Sequence, residues 1–312
     1  MNLMHLLQNK KTRVGVWLVA GALASATLMS GKDAKSDASV TGPGAAIYGS
    51  VPPDQIEFLT TKDRIMSVAR GGQPTAIWEA LEHGERVECL DCISAVAPLL
   101  YDPSPVTREI SAWWLRRRVF GVFGAGEVYE QTLGTLKGDP DAQKRAYAAQ
   151  ALGEFLAAPG VTACAEAIAN DKEPVVRAAA ASALGRLNDD GAGALSKALA
   201  DSDKTVRLAA LGSVGRVNAF NDPPALTRLV GDGDAVVRRR AAEVIGAHRT
   251  KDAVGALVAQ VKAEPDANAR GAMAHALGQI GDTAARSVLE DLAQNDANGL
   301  VRDLARISLR QL

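Results

Sequence analysis

The stretch DSDKTVRLAALGSVG, residues 201–215, carries the pattern that decides the fold. Two acids stand two positions apart, Val-Arg follows, and small and aliphatic residues then recur at helical spacing. Three further copies repeat this pattern, with Lys-Arg in place of Val-Arg in the first of them: DPDAQKRAYAAQALG from residue 139, DKEPVVRAAAASALG from 171 and DGDAVVRRRAAEVIG from 232. One sequence pattern therefore recurs along the chain, which indicates a repeat protein.

The arginine of this pattern measures the repeat length. Its copies are separated by 37, 32, 30, 31, 32 and 32 residues, and they are Arg108, Arg145, Arg177, Arg207, Arg238, Arg270 and Arg302. Six positions before each arginine stands an acid, in chain order Asp102, Asp139, Asp171, Asp201, Asp232, Glu264 and Asp296. Seven positions after it stands an aliphatic residue: Leu115, Leu152, Leu184, Val214, Ile245, Leu277 and Leu309. A period near 32 residues is typical of solenoids, in which stacked units share one core.

Shorter apolar stretches such as VTACAEAIAN and PALTRLV separate the copies, and each is long enough for one modest helix. Each repeat is therefore predicted to contain a helix A, a tight turn and a helix B that carries the arginine. No run of alternating Val, Ile or Thr indicates strands. The predicted fold is all-α, a solenoid of stacked helix pairs that covers residues 86–312.

The units D-x-[DE]-x-x-V-R-x-x-A-x-x-x-L-G resemble the HEAT-repeat family, in the short form named after phycobilisome lyases. The resemblance implies a right-handed α-solenoid, the armadillo/HEAT-type superhelix. Proteins of this family serve as scaffolds, adaptors and occasionally enzymes, so the resemblance implies the fold more than a function. It also implies that the helix-B arginines and the turn acids pair as a structural ladder; the alternative is a charged ligand-binding stripe. The predicted ladder residues are Asp139, Arg145, Asp171, Arg177, Asp201, Arg207, Asp232 and Arg238.

The N-terminus has a different composition from the repeats. A basic leader precedes an apolar run, and the small residues Ala24, Ser25 and Ala26 form a plausible cleavage site. Residues 1–26 are therefore predicted to be a signal peptide, with an uncleaved membrane anchor over residues 14–29 as the alternative. A flexible linker over 27–54 and an N-terminal helical cap over 55–85 follow. The predicted location is periplasmic or otherwise exported.

Charge and motifs restrict the partners and the chemistry. The formal net charge is −1, which gives no support to nucleic-acid binding. The His-Glu pairs of the related deoxyhypusine hydroxylases are missing, no residue indicates a bilin site, and no nucleophile elbow or phosphate loop occurs. The sequence therefore predicts no metal, no cofactor and no enzyme. The expected partner is another protein of the cell envelope, with membrane contact only through an uncleaved N-terminal segment.

Cys89 and Cys92 form a Cys-x-x-Cys motif. Ile93 stands where haem attachment requires a histidine, and no second pair completes a zinc site. The motif is either a redox pair or a buried or locally disulfide-bonded pair without catalytic use. Cys164 is expected to be a small core residue.

The first copy departs from the pattern and marks a candidate surface. Trp113 stands five positions after Arg108, where the other copies have mostly polar residues and a solvent-facing side chain is expected. Trp114, six positions after Arg108, stands where the other copies have small or apolar residues. The candidate partner-binding residues on this copy and on a later basic cluster are Glu109, Trp113, Arg116, Arg117, Arg239 and Glu243. The alternative is that Trp113 seals the end of the stack.

Two functional hypotheses follow. The first is an exported, non-catalytic HEAT-repeat scaffold or adaptor that binds another protein along its helix-B surface. The second is a thiol-redox or cofactor-maturation protein, lyase-like, that uses Cys89 and Cys92.

Overall fold

The computed structural model describes residues 61–119, 126–188 and 191–312. The predicted signal peptide or anchor, the linker and the first residues of the predicted helical cap lie outside the described residues. None of the described helices combines the length and the apolar character that a bilayer crossing requires.

The described parts of the chain contain sixteen α-helices and no strand. An N-terminal pair comprises α1 (Lys62–Ala69) and α2 (Pro74–His83). The A helices are α3 (Leu90–Val96), α5 (Glu127–Gly138), α7 (Pro159–Asn170), α9 (Ala192–Ala198), α11 (Pro223–Arg228), α13 (Val254–Ala263) and α15 (Arg286–Asn295). The B helices are α4 (Pro105–Val119), α6 (Ala142–Phe155), α8 (Pro174–Leu187), α10 (Lys204–Val214), α12 (Ala235–Ala247), α14 (Ala267–Ile280) and α16 (Gly299–Leu309).

Neighbouring repeats stack through helices of the same kind. Each B helix contacts the B helix of the next repeat, from α4 to α16, and α7 contacts both α5 and α9. Each A helix also packs against the B helix of its own repeat, as α7 does on α8. This arrangement confirms the predicted all-α solenoid of helix pairs.

The predicted aliphatic column of the B helices forms the core. Its first six members have no exposed surface: Leu115, Leu152, Leu184, Val214, Ile245 and Leu277. The seventh, Leu309, is half-buried, because among the described residues no further helix pair packs on α16. Burial of one such residue from every repeat joins the units into one continuous hydrophobic cluster.

Glycine allows the B helices to approach closely. A Cβ atom on Gly185 of α8 would lie 2.9 Å from the Cα of Ser213 on α10. A Cβ on Gly153 of α6 would meet the Cα of Ala183 at the same distance. The recurrent Leu-Gly of the sequence pattern therefore has a packing role: the leucine fills the core and the glycine admits the neighbouring backbone.

A second set of acids, four positions before the arginines, caps the B helices in most repeats. Asp141, Asp203 and Asp234 each accept a hydrogen bond from a backbone amide of the first helical turn. Glu173, whose side chain is a poor cap, makes no such bond, and Pro174 follows it at the first helical position.

Candidate functional site

The helix-B arginines link successive repeats. In each of five pairs the guanidinium contacts the acid of the following repeat, with closest distances from 2.6 to 2.8 Å. The pairs are Arg145–Asp171, Arg177–Asp201, Arg207–Asp232, Arg238–Glu264 and Arg270–Asp296. Each pair therefore bridges two units of the stack.

Arg177 shows the geometry that these arginines share. Its Nε and Nη2 donate to the two carboxylate oxygens of Asp201, at 2.7 and 2.9 Å. Its Nη1 donates to the backbone carbonyls of Asp171 and Lys172, at 3.0 and 3.1 Å. The acid six positions before the arginine thus contributes its carbonyl, while the carboxylate comes from the next repeat. One guanidinium fixes its own turn and the following turn together.

These contacts change the pKa values of the acids. The hydrogen bond from Arg238 is the largest influence on Glu264 and lowers its pKa. The hydrogen bond from Arg270 acts in the same way on Asp296 and lowers its pKa. In both cases the arginine favours the ionised carboxylate over the protonated form.

Asp171 and Asp201 are shifted in the same direction by a balance of causes. Burial is the largest single influence and raises the pKa of each carboxyl. The hydrogen bonds from the partner arginine and from a backbone amide, together with the charge of that arginine, outweigh burial, so the pKa of each is lowered. A carboxyl whose pKa is lower in the folded chain stabilises the fold when it is ionised.

We expect the fold to be acid-sensitive for this reason. Between pH 7 and about pH 5 all these carboxylates are ionised in both states, so the urea midpoint should stay nearly constant. Below about pH 4.5 the unfolded chain takes up protons first, and stability should fall as the pH drops through the lowered folded-state values. Urea melts at intervals down to pH 3 measure this effect, and an unchanged midpoint over that range would contradict it.

The first arginine has a different environment. Arg108 of α4 lies over the ring of Tyr147 of α6, with 3.8 Å between the guanidinium carbon and the ring centroid. Its Nη1 donates to the carbonyls of Asp102 and Pro103, at 2.7 and 2.9 Å, as in the other repeats. Its Nε donates to the side-chain oxygen of Gln150 at 3.3 Å. Within the described residues no carboxylate pairs with Arg108.

Arg108 borders a groove that crosses three B helices. The groove has a volume of about 260 Å³ and lies on α4, α6 and α8. Small side chains, among them Ala112, Ala151 and Ala183, leave the space between the helices open. Its polar side chains are Arg108, Glu109, Tyr147, Gln150, Glu154, Ser182 and Arg186.

The predicted partner-binding residues do not lie together on one surface. Glu109 is exposed and lines the groove, whereas Trp113, one helical turn later, is half-buried and packs against the hydrophobic core. Arg116 is half-buried, and Arg117 is exposed and forms an ion pair with Glu85 at 3.1 Å.

Arg239 and Glu243 lie on α12, and three B helices separate α12 from α4 in the stack, so the two predicted groups do not form one site. Glu243 is 3.9 Å from Arg239 and 2.9 Å from Arg240. The residues that the sequence reasoning missed are Tyr147, Gln150, Glu154, Ser182 and Arg186. Tyr147 carries a signal, because its column, two positions after the arginine, holds no other aromatic residue.

The two cysteines of the Cys-x-x-Cys motif form a disulfide, with 5.2 Å between their Cα atoms. Cys92 is completely buried and Cys89 retains 7 % of its surface. Burial hinders attack by an external thiolate, so this geometry favours the structural alternative for the pair. Cys164 is buried in the core, and burial raises the pKa of its thiol to about 12.

The sequence matches a known family along this stack. The model of the family described as HEAT repeats matches residues 130–215, 167–235 and 223–310, which together span more than half of the chain. The chain therefore belongs to the HEAT-repeat family. A comparison with curated protein sequences gives no match.

Three solved structures are similar to this chain to different degrees. The YibA protein of E. coli is similar with a TM-score of 0.53 and 17 % identity, over 83 % of this chain and 96 % of that one. Human deoxyhypusine hydroxylase matches with a TM-score of 0.35 and 20 % identity, over 71 % and 96 % of the two chains. The CpcE–CpcF complex of phycocyanin lyase from Nostoc matches with a TM-score of 0.39 and 21 % identity, over 70 % and 94 %.

One sequence-based expectation is corrected by these matches. The missing motifs led to the prediction that the chain is not an enzyme, but the matching structures include a hydroxylase and a lyase. That prediction is wrong, because two of the matching structures bear the names of enzymes. The same two likenesses assign no activity to this chain, since their identity and TM-scores are low.

Proposed function

We propose that this chain is an exported HEAT-repeat scaffold that binds a partner protein on its helix-B face. The observation that carries the proposal is the groove across α4, α6 and α8. It brings an aromatic ring, charged groups and small apolar side chains of three different repeats onto one surface.

The composition of the groove supports protein binding. Arginine and tyrosine are enriched among the residues that dominate binding energy at protein interfaces. Arg108 and Tyr147 are already in contact, so little side-chain freedom is lost when a partner arrives. The alanines of the groove floor leave room for one inserted side chain of the partner, which is the usual form of an interface anchor.

Export is the second part of the proposal. Its support is the order of a basic leader, an apolar run and small residues within residues 1–26. The partner would then be a protein of the cell envelope, and residues 14–29 would anchor the chain if the leader is retained. Cell fractionation combined with N-terminal sequencing tests this part; a chain that keeps its first residue and is recovered with the cytosol would contradict export.

Site-specific crosslinking tests the binding face. Ser182 is exposed and lines the groove, so a photo-crosslinking amino acid at this position should capture a discrete protein in intact cells. Thr162 is the matched control, because it is also exposed but lies on the A helix α7, in a different surface cleft. Equal capture from both positions, or none from Ser182, would count against a helix-B binding face.

Replacement of Trp113 tests the predicted surface beside the groove. Since Trp113 keeps part of its surface exposed, we expect Trp113→Ala to weaken partner affinity by about 2 kcal/mol or more, the scale of a tryptophan hot spot. Titration with the partner captured through Ser182 measures the loss. Unchanged affinity would restrict the role of Trp113 to packing against the core.

A further inference from the structure

We propose that Arg108 binds a carboxylate of the partner protein, supplied by an aspartate or glutamate side chain that enters the groove. This proposal rests on the proposed protein-binding function and names the chemistry that the groove selects. The bound carboxylate would occupy the position that an acid of the next repeat holds at the other bridging arginines.

The bridging arginines define what Arg108 lacks. In the pairs of Arg145, Arg177 and Arg270, Nε and Nη2 bind the two oxygens of one carboxylate. Arg108 keeps the Nη1 bonds to two backbone carbonyls, so its guanidinium is held from the same side. At the Nε–Nη2 edge it has the long bond to Gln150, and within the described residues Nη2 has no partner.

The surroundings keep that edge ready for a ligand. The ring of Tyr147 lies under the guanidinium, which orients it through a cation–π contact. An amide oxygen such as that of Gln150 is a weaker acceptor than a carboxylate, because charge-assisted hydrogen bonds are shorter and roughly twice as strong. An entering carboxylate can therefore accept a hydrogen bond from Nη2 and compete with Gln150 for the hydrogen bond from Nε.

The remaining charges of the groove determine how selective the site is. Arg186 is already paired with Glu154, so it adds little net charge. Glu109 is exposed at the groove and has no ion-pair partner among the described residues, so it repels an incoming carboxylate. Glu109→Gln should consequently tighten the binding of an acidic peptide, whereas it should not affect a neutral one.

A peptide library displayed on phage and panned against the full chain supplies the probes. Ser182→Arg places a bulky side chain in the groove. The peptides that bind the groove are therefore those that bind the unmodified chain but no longer bind this variant. Each is synthesised with its acids and again with the matching amides. We expect one acid-to-amide change to weaken binding about tenfold or more in the unmodified chain, the scale of a charged hydrogen bond. In Arg108→Gln the same change should have little effect.

Arg302→Gln is the matched control. Arg302 also donates Nη1 to two backbone carbonyls, at 2.6 and 3.2 Å, and within the described residues its guanidinium pairs with no carboxylate. It lies on α16, outside the groove, so its replacement should leave peptide binding and acid selectivity unchanged. If Arg108→Gln fails to fold, Glu109→Gln is the second test: an acidic peptide that binds this variant no more tightly than the unmodified chain would overturn the inference.

The outcomes separate this inference from the function on which it rests. Groove-binding peptides that lose no affinity on acid-to-amide change would overturn the role of Arg108 and leave the scaffold proposal standing. Acid selectivity that persists in Arg108→Gln would do the same. Both proposals would be overturned if no peptide lost its binding in Ser182→Arg and no protein was captured through Ser182 in cells.

Discussion

Trp114→Ala is expected to lower the free energy of unfolding by about 3–5 kcal/mol, the range measured for buried aromatic residues. Trp114 has 1 % of its surface exposed and is among the largest fully buried side chains. Its Nε1 donates to the carbonyl of Gly84 at 2.9 Å. The side chain therefore joins the first B helix, α4, to the segment that follows α2.

The loss should exceed that of a simple cavity because a buried cation rests on the same ring. The guanidinium of Arg118 lies 3.5 Å from the ring centroid of Trp114 and donates to the carbonyls of Trp114, Glu85 and Val87, at 2.6 to 2.8 Å. Burial lowers the pKa of Arg118 to about 10. Without the ring, this charge loses its cation–π contact in a buried place.

Urea unfolding of the single variants measures the effect, and Trp113→Ala is the internal control. Trp113 is the adjacent residue on the same helix, but it is half-buried, so its replacement should lower stability by less. Equal losses at the two positions would show that both tryptophans seal this end of the stack. They would also contradict the surface role proposed for Trp113.

The sequence was sufficient to predict the repeat, the helix pairs and the residues that fill the core. The prediction succeeded because a solenoid repeats one local environment, so that equivalent positions have the same burial. Leu152, Leu184 and Leu277, for example, are all completely buried. The partners within the arginine ladder were harder to predict. Spacing relates each arginine to the acid of its own repeat, whereas the carboxylate at Arg207 comes from Asp232 of the next repeat. That distinction depends on the direction of a long side chain, which periodicity does not encode.

The groove could not be predicted for a related reason. It arises where alanines on three helices leave space and where Tyr147 stands at a position that holds no aromatic residue in the other repeats. Sequence reasoning instead followed the most unusual residue, Trp113, and the arginines after it. Arg117 pairs with Glu85, and the next residue, Arg118, is buried against Trp114. The unusual composition here therefore reflects how α4 meets the preceding segment.

Glu264→Gln tests the ladder where it is most deeply buried. The side chain of Glu264 has no exposed surface, and both of its oxygens accept from Arg238 at 2.6 Å. Gln keeps the shape but removes the charge, so Arg238, which is itself buried, retains an uncompensated charge. Removal of one partner from a buried ion pair costs about 3–5 kcal/mol, and we expect a loss of that size.

The matched control is an ion pair on the surface of the same stack. Lys204 contacts Asp234 at 2.8 Å, but its side chain is 62 % exposed and the pair is screened by solvent, so Lys204→Gln should lower stability far less than Glu264→Gln. Glu264→Asp, which introduces the acid found in the other bridging pairs, should lose less stability than Glu264→Gln because the charge remains. Similar urea midpoints for the two Glu264 variants would show that fit, rather than charge, determines this contact.

The same variant has a second readout that a mere packing defect would not change. Because Arg238 lowers the pKa of Glu264, this carboxylate contributes part of the stability that is lost as the pH falls below about 4.5. Glu264→Gln removes that titration, so the difference in unfolding free energy between the variant and the unmodified chain should narrow from pH 7 to pH 3. A difference that stays constant over this range would mean that the Arg238–Glu264 pair does not stabilise the stack through its charge.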